Sequence, residues 1–593
     1  MPTAEPPRRV LPVHAVLAAS LLFAAGCADS TALDATPAPA VAATGGGSSG
    51  AGGAPPADAG QEGPGEAAAS GADPAAGIEP GLHARLDHID RRSHAFSRFR
   101  GWVDRAVAGN PGYNFSATDA ATMYLLTGRQ AYCDLAVRLV EAQVGDAERA
   151  IAAGGFAPVA GNSYLEAGHA IGALAATWDA CRAGLDPAQA ARWTAYADQT
   201  IANIWNHRGA RWGGRPHPWT GWATDNPGNN YYYSFLAATM SWALASGNAA
   251  MLADLRERRI PPLRAYFDRL PGGGSSEGTG YGVSHMNLFP LYALWRDATG
   301  EDLANANSHL TDSIHYWIHA TVPGFTHYAP IGDQARYANP EIFDYHRALM
   351  LHARSLTSDE RARDAASWWL GRIPVSEMGQ GFNFRTDLLP AGDGGSPPGA
   401  LLHHATGVGH LFAQDWRAVT ANIWTRSGIN QATSVHNVVR FERSDLRHRQ
   451  CQAPLDDIVV QQCHGTRSTL EVVPGADGAF TAVADLTPAY AGNPALRSWR
   501  RHFDFKGGAL TVRDEFSIPA GTEAIFQLNV RERPAIDGQV ASAGRLRMTV
   551  LEPADARLSA QAWPEIGGEE FRDGWRIEVR GGERGYLVRL EAR

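Results

Sequence analysis

The chain has 593 residues, of which 44% are hydrophobic and 19% charged, with a formal net charge of -9. That length exceeds one ordinary domain, and the apolar share is enough to bury sizeable cores. The acidic balance excludes a general nucleic-acid binder, which carries a basic patch or stripe.

The first elements are an address and a tether. Arg8 and Arg9 precede an apolar run from Val10 to Ala25, interrupted by Pro12 and His14. The run is too short to span a bilayer and reads as the core of a signal peptide over residues 1–27. It ends in Ala24-Ala25-Gly26-Cys27, which resembles the bacterial lipobox, whose cysteine is lipidated and becomes the first residue. Ala28 rather than Asp follows, which in the lipoprotein sorting pattern favours the outer membrane. The lipid on Cys27 would then be the only membrane contact, holding an exported protein in the periplasm or at the cell surface. Residues 28–81 are Ala, Gly, Pro and Ser with almost no large apolar side chain, which predicts a flexible tether.

Residues 82–372 read as helical. Leu86, Ile89, Phe96, Phe99, Trp102 and Val103 recur at helical steps. Asp186-Pro187 opens another helix, an acidic cap followed by proline at the first position. The run from Tyr232 to Leu244 is almost wholly apolar and predicts a helix buried on all sides. About ten helices joined by short loops predict antiparallel pairs, arranged as a superhelix or a closed α/α toroid. Residues 373–593 change period. Short alternating runs such as Ala524–Val530, Leu546–Val550 and Tyr586–Leu590 are separated by Gly, Asp and Pro, as in an antiparallel β-sandwich. The fold class is therefore multidomain α + β. Cys451 and Cys463 flank eleven residues and suit a hairpin staple, whereas Cys133 and Cys181 sit in predicted helices and read as buried free thiols.

Two polar-aromatic stretches carry the chemistry. The first is Asp225-Asn226-Pro227-Gly228-Asn229-Asn230-Tyr231-Tyr232-Tyr233, and the second is Gly272-Gly273-Gly274-Ser275-Ser276-Glu277-Gly278-Thr279-Gly280-Tyr281. Upstream of the first lie Arg211, Arg215, His217, Trp219 and Trp222. Indole faces stack on sugar rings, and Arg or His pairs with acidic groups. Lys506 is the only lysine, so nearly all positive charge is arginine, whose planar fork grips carboxylates and sulfates. Asn229 and Asn230 read equally as helix caps, Tyr281 as the close of a turn and Glu277 as a cap. No spacing implies a metal or another cofactor.

The Asn-Asn-Tyr segment opening a helix, with Ser275-Ser276-Glu277-Gly278-Thr279-Gly280-Tyr281 about fifty residues on, resembles the heparinase II/III-like and alginate-lyase-like polysaccharide lyases. So do the order of the two regions and the segment Gly407–Trp416. The resemblance covers roughly residues 85–590. It implies an α/α toroid, an incomplete barrel of helix pairs, followed by a β-sandwich, with a cleft for an acidic polysaccharide between them. It also implies β-elimination on a uronic-acid glycan. Asn230, or Asn229, would neutralise the substrate carboxylate and Tyr281 would serve as acid and base, with Glu277 and Arg336 orienting. Heparin-like glycans, alginate and bacterial exopolysaccharides all suit such a cleft.

The chain departs from that family at one strand. The His-x-His-x-Asp-x-Gly-Ser-Phe-like strand expected after Asp415-Trp416 is absent from the sequence, which runs into Arg417-Ala418-Val419. His436 is the nearest substitute, with His403, His404 and His327 as others. The departure keeps open a non-catalytic, glycan-binding lipoprotein of the same fold. A glycoside hydrolase recruiting two carboxylates from Glu277, Asp225 and Asp333 is a third reading.

Overall fold

The computed structural model describes residues 86, 89–275, 277, 283–322, 324–329, 342, 344–373, 384–400, 402–405, 410–413, 437–444, 468–490, 494–563 and 574–592. Cys27, Tyr281, Asp333, Arg336, His436, Cys451 and Cys463 lie outside them, as does the junction after Trp416. The elements below all belong to one unit within residues 77–593.

Twelve α-helices come first among the described residues. They are α1 (His94–Val107), α2 (Ala117–Thr127), α3 (Gln130–Ala152), α4 (Ala167–Cys181), α5 (Pro187–Trp205), α6 (Asn230–Ser246), α7 (Ala249–Asp254), α8 (Ile260–Phe267), α9 (Val283–Thr299), α10 (His309–Ala320), α11 (Asp344–Leu356) and α12 (Glu360–Leu370). Their ends follow local chemistry. The Asp186 carboxylate accepts from the Ala188 amide with Pro187 at the first position of α5, and Gly247 ends α6 in the left-handed region at φ 69°.

Helix α6 explains its own sequence. Tyr232, Tyr233, Leu236 and Met240 enter a core shared with the later helices. Phe235, Ala238 and Trp242 enter a second core shared with the earlier ones. A helix wedged between two cores buries its whole circumference, so it shows no polar stripe. The most extensive helix contact is between α4 and α6. The helical layer runs past α12, since the Asp387 carboxylate is held by Arg98 of α1 and Arg347 of α11 at 3.2 and 3.0 Å.

One expectation is corrected here. Cys133 of α3 and Cys181 of α4 form a disulfide across 48 residues of sequence. Both side chains are buried, which the helical pattern showed, but the packing of the two helices brings the sulfurs together, which it did not.

The strands are all antiparallel among the described pairs. A small hairpin, β1 (Arg211–Trp212) with β2 (Arg215–Pro216), sits within the helical layer. A second joins β3 (Leu402–Ala405) to β4 (His410–Ala413), and β3 packs on α10. The rest are β5 (Val439–Glu442), β6 (Thr469–Pro474), β7 (Phe480–Asp485), β8 (Ser498–Lys506), β9 (Ala509–Ser517), β10 (Glu523–Val530), β11 (Ala535–Asp537), β12 (Val540–Ala543), β13 (Leu546–Glu552), β14 (Arg557–Ala562), β15 (Trp575–Arg580) and β16 (Gly585–Ala592). They form a four-stranded sheet in the order β14-β15-β10-β5 and an eight-stranded sheet in the order β11-β12-β13-β16-β9-β8-β7-β6. Alternate residues of both sheets, Phe441, Phe526 and Val579 from the first and Val512, Met548 and Val588 from the second, share one core.

Candidate functional site

The first stretch folds as the N-terminus of α6. Asn229 is spent as its cap, with its side-chain oxygen accepting from the Tyr231 amide at 3.0 Å. Asn230 is the first helical residue. Its side chain is buried, at 3% exposure, and its amide oxygen finds no hydrogen-bond partner among the described residues. A buried amide with unspent hydrogen-bonding capacity costs free energy, and it stands where a helix favours anions. Of the two asparagines, Asn230 is therefore the one whose side-chain oxygen is not spent on capping the helix.

The aromatic and cationic side chains divide into two groups. Trp219 reaches α6, with its ring 6.0 Å from Phe235 and 5.1 Å from Tyr164. Its indole nitrogen donates to the Asn203 carbonyl at 2.9 Å. Asn203, on α5, also brackets Arg211, donating to its carbonyl at 2.7 Å and accepting from its amide at 2.9 Å. Arg215 turns the other way and donates to the Ile151 and Gly155 carbonyls at the end of α3, at 2.6 and 3.1 Å. His217 stacks on Phe156 with ring centroids 4.2 Å apart. Arg215 and His217 are thus engaged in fixing the β1–β2 hairpin to α3. Trp222 is exposed.

The second stretch is held by three successive carbonyls. His403 Nε2 of β3 donates to Gly272 at 2.8 Å, Ser313 Oγ of α10 to Gly273 at 2.8 Å, and His309 Nε2 of α10 to Gly274 at 3.3 Å. This close approach is why the loop is glycine. Gly273 has φ +72°, and a Cβ there would lie 2.0 Å from the Ser313 nitrogen. Of these three holders only His403 stood out in the sequence, as a substitute for the missing strand histidine; His309 and Ser313 did not. Their signal was His309 and Ser313 at i and i+4 on one helix, legible only once α10 is placed beneath the loop.

The two stretches meet electrostatically. Burial pushes the Tyr233 phenol well up, and nearby phenols and the Glu277 carboxylate add to the effect. The Glu277 carboxylate also accepts from Ser284 Oγ. Burial likewise pushes Tyr232 up to about 12 and raises Tyr164, so these phenols stay protonated. The histidines beneath the second loop are kept neutral by burial, His309 at about 4, His403 at about 4 and His285 well below the usual range. Among the described residues no group of three metal-binding side chains converges. His404 lies on β3, half-buried, and His327 is also half-buried, with Nδ1 in a hydrogen bond with Thr326. Asp225 is exposed.

Solved structures similar to this chain are polysaccharide lyases. A heparinase III aligns at TM-score 0.47 and 11% identity, covering 83% of each chain. The chondroitin AC lyase of Streptomyces coelicolor A3 aligns at 0.48 and 11% identity, over 85% of this chain and 80% of that one. The heparan sulfate lyase HepC of Pedobacter heparinus aligns at 0.45 and 13% identity, over 85% and 84%. No family model matches the sequence, and no curated protein does.

Proposed function

We propose that the chain is a polysaccharide lyase that cleaves a uronic-acid glycan by β-elimination, built as an α/α toroid followed by a β-sandwich. The observation that carries the reading is Asn230, a buried amide at the N-terminus of α6 whose oxygen is tied to no partner among the described residues. Its Nδ2–H donor, with the backbone N–H groups of the helix terminus, neutralises the substrate carboxylate, which acidifies the proton on C5. Tyr281 takes that proton and returns one to the leaving oxygen as the C4–O bond breaks and the C4–C5 double bond forms. Trp219 and Trp222 offer ring faces to sugars, and Arg211 and Arg336 supply positive charge along an acidic chain, while Arg215 and His217 hold the hairpin that carries Arg211. Glu277, and His436 on the β side, are assigned orienting roles.

The same reading makes the protein exported and lipid-anchored through Cys27 to a bacterial outer membrane. The Cys133–Cys181 disulfide supports an oxidising compartment. The test is to offer the purified protein uronate glycans, heparin-like, alginate and bacterial exopolysaccharide, and follow the ultraviolet absorbance of the unsaturated product. No such signal on any of them defeats the reading. Binding without turnover would instead mark the glycan-binding alternative, which the missing histidine strand motivates. Products without the double bond would mark a hydrolase.

A further inference from the structure

Between α3 and α4 the chain makes a turn that local sequence preference explains at Asn162 but not at Ser163 and Tyr164. Asn162, Ser163 and Tyr164 follow one another in the left-handed region, at φ 45°, 52° and 64°. Each non-glycine residue there is strained, and such strain persists only where the surroundings over-determine it. The surroundings are α6. Tyr231 Oη donates to Asn162 Oδ1 at 3.1 Å. Ser234 Oγ donates to the Leu165 carbonyl at 2.6 Å and accepts from the Gly168 amide at 2.8 Å. The approach is close enough that a Cβ on Gly168 would lie 2.8 Å from the Ser234 carbonyl oxygen. Tyr231 and Ser234 are three residues apart and so share one face of α6. The turn therefore grips the first turns of the helix that Asn230 opens.

The geometry points to Asn162 as a positioning residue for the reaction at Asn230. Its side-chain carbonyl, presented by the left-handed turn, anchors the Tyr231 phenol. That anchor sets the rotation of the first turn of α6 and so aims the Asn230 amide. Glycine, asparagine and aspartate take left-handed backbone most readily. Of these, only asparagine brings a neutral acceptor; glycine brings none, and aspartate would place a negative charge beside a site for a carboxylate. The inference rests on the elimination reading above.

The test uses the full chain and a uronate glycan that it turns over. Asn162→Gly keeps the turn and removes the acceptor. It should lower kcat about tenfold with KM within about twofold, and leave Tm within about 2 °C of the parent. Tyr231→Phe should give the same loss, and the double variant should lose no more than either single one, because both break one link. Asn162→Asp keeps the acceptor, so its kcat should hold while KM rises at low salt and recovers as salt is added. Unchanged kcat in Asn162→Gly, or losses that multiply in the double variant, would overturn the positioning role alone. Absence of unsaturated product from the parent chain would overturn the elimination reading, and the inference with it.

Discussion

Replacing Asn230 by leucine separates a ligand-directed side chain from a structural one. Leucine has the same branching as asparagine and no polar atoms. In the folded chain Asn230 is 3% exposed and its amide oxygen is unpaired among the described residues. An unpaired buried acceptor costs about 1–3 kcal/mol, so its removal should leave stability unchanged or raise it by roughly 1–2 kcal/mol. Loss of a hydrogen-bond donor at the substrate carboxylate should lower kcat about 100-fold or more, some 2.7–4 kcal/mol of transition-state stabilisation. The opposite signs are the diagnostic. Thermal unfolding and initial rates of unsaturated-product absorbance, measured on the same preparations, check both. A kcat within about threefold of the parent would refute the reasoning. So would a Tm that falls along with kcat, since Asn230 would then be holding the helix rather than awaiting a ligand.

Three other outcomes follow from the packing. Gly273→Ala sets a Cβ 2.0 Å from the Ser313 nitrogen and 2.2 Å from the Asp312 carbonyl carbon, both backbone atoms of α10. The loop must move, and kcat should fall by about 100-fold, with faster amide exchange at Gly272–Gly274 as the structural readout. Cys133→Ser with Cys181→Ser releases a 48-residue closure, which the chain-entropy relation puts at about 4 kcal/mol, measurable by denaturant unfolding under oxidising conditions. Stability should also fall with acid. His309 and His403 are neutral in the fold with values of about 4 each, below the ordinary 6.5. The unfolded chain therefore binds more protons between those values. Stability is complete above about pH 6.5 and declines as pH drops toward 4, and His309→Gln should flatten that slope in a Tm-against-pH series.

Much of the architecture was legible because its causes are local. Asp186-Pro187 opens α5 and Asn229 caps α6 through hydrogen bonds spanning two residues. The change from helical to alternating spacing lies between α12 and β3, and the apolar run of α6 announced a helix buried on every side. Asn230 was legible as one of a pair of candidates. The structure separated the pair by showing that Asn229 is consumed by its own helix.

The remainder depended on partners far apart in the chain. The sequence by itself determined the order of helices and strands, the caps, the glycines of the second loop and the identity of the candidate side chains. Tertiary structure alone decided that Cys133 meets Cys181 and that His403, Ser313 and His309 each take one carbonyl of that loop. It also decided that Arg215 and His217 fasten a hairpin to α3, and that a left-handed turn at Asn162 grips α6. Periodicity and capping act within a few residues and leave a mark in the local pattern. A hydrogen bond between residues 131 positions apart, as between His403 and Gly272, leaves none until the core has brought its ends together.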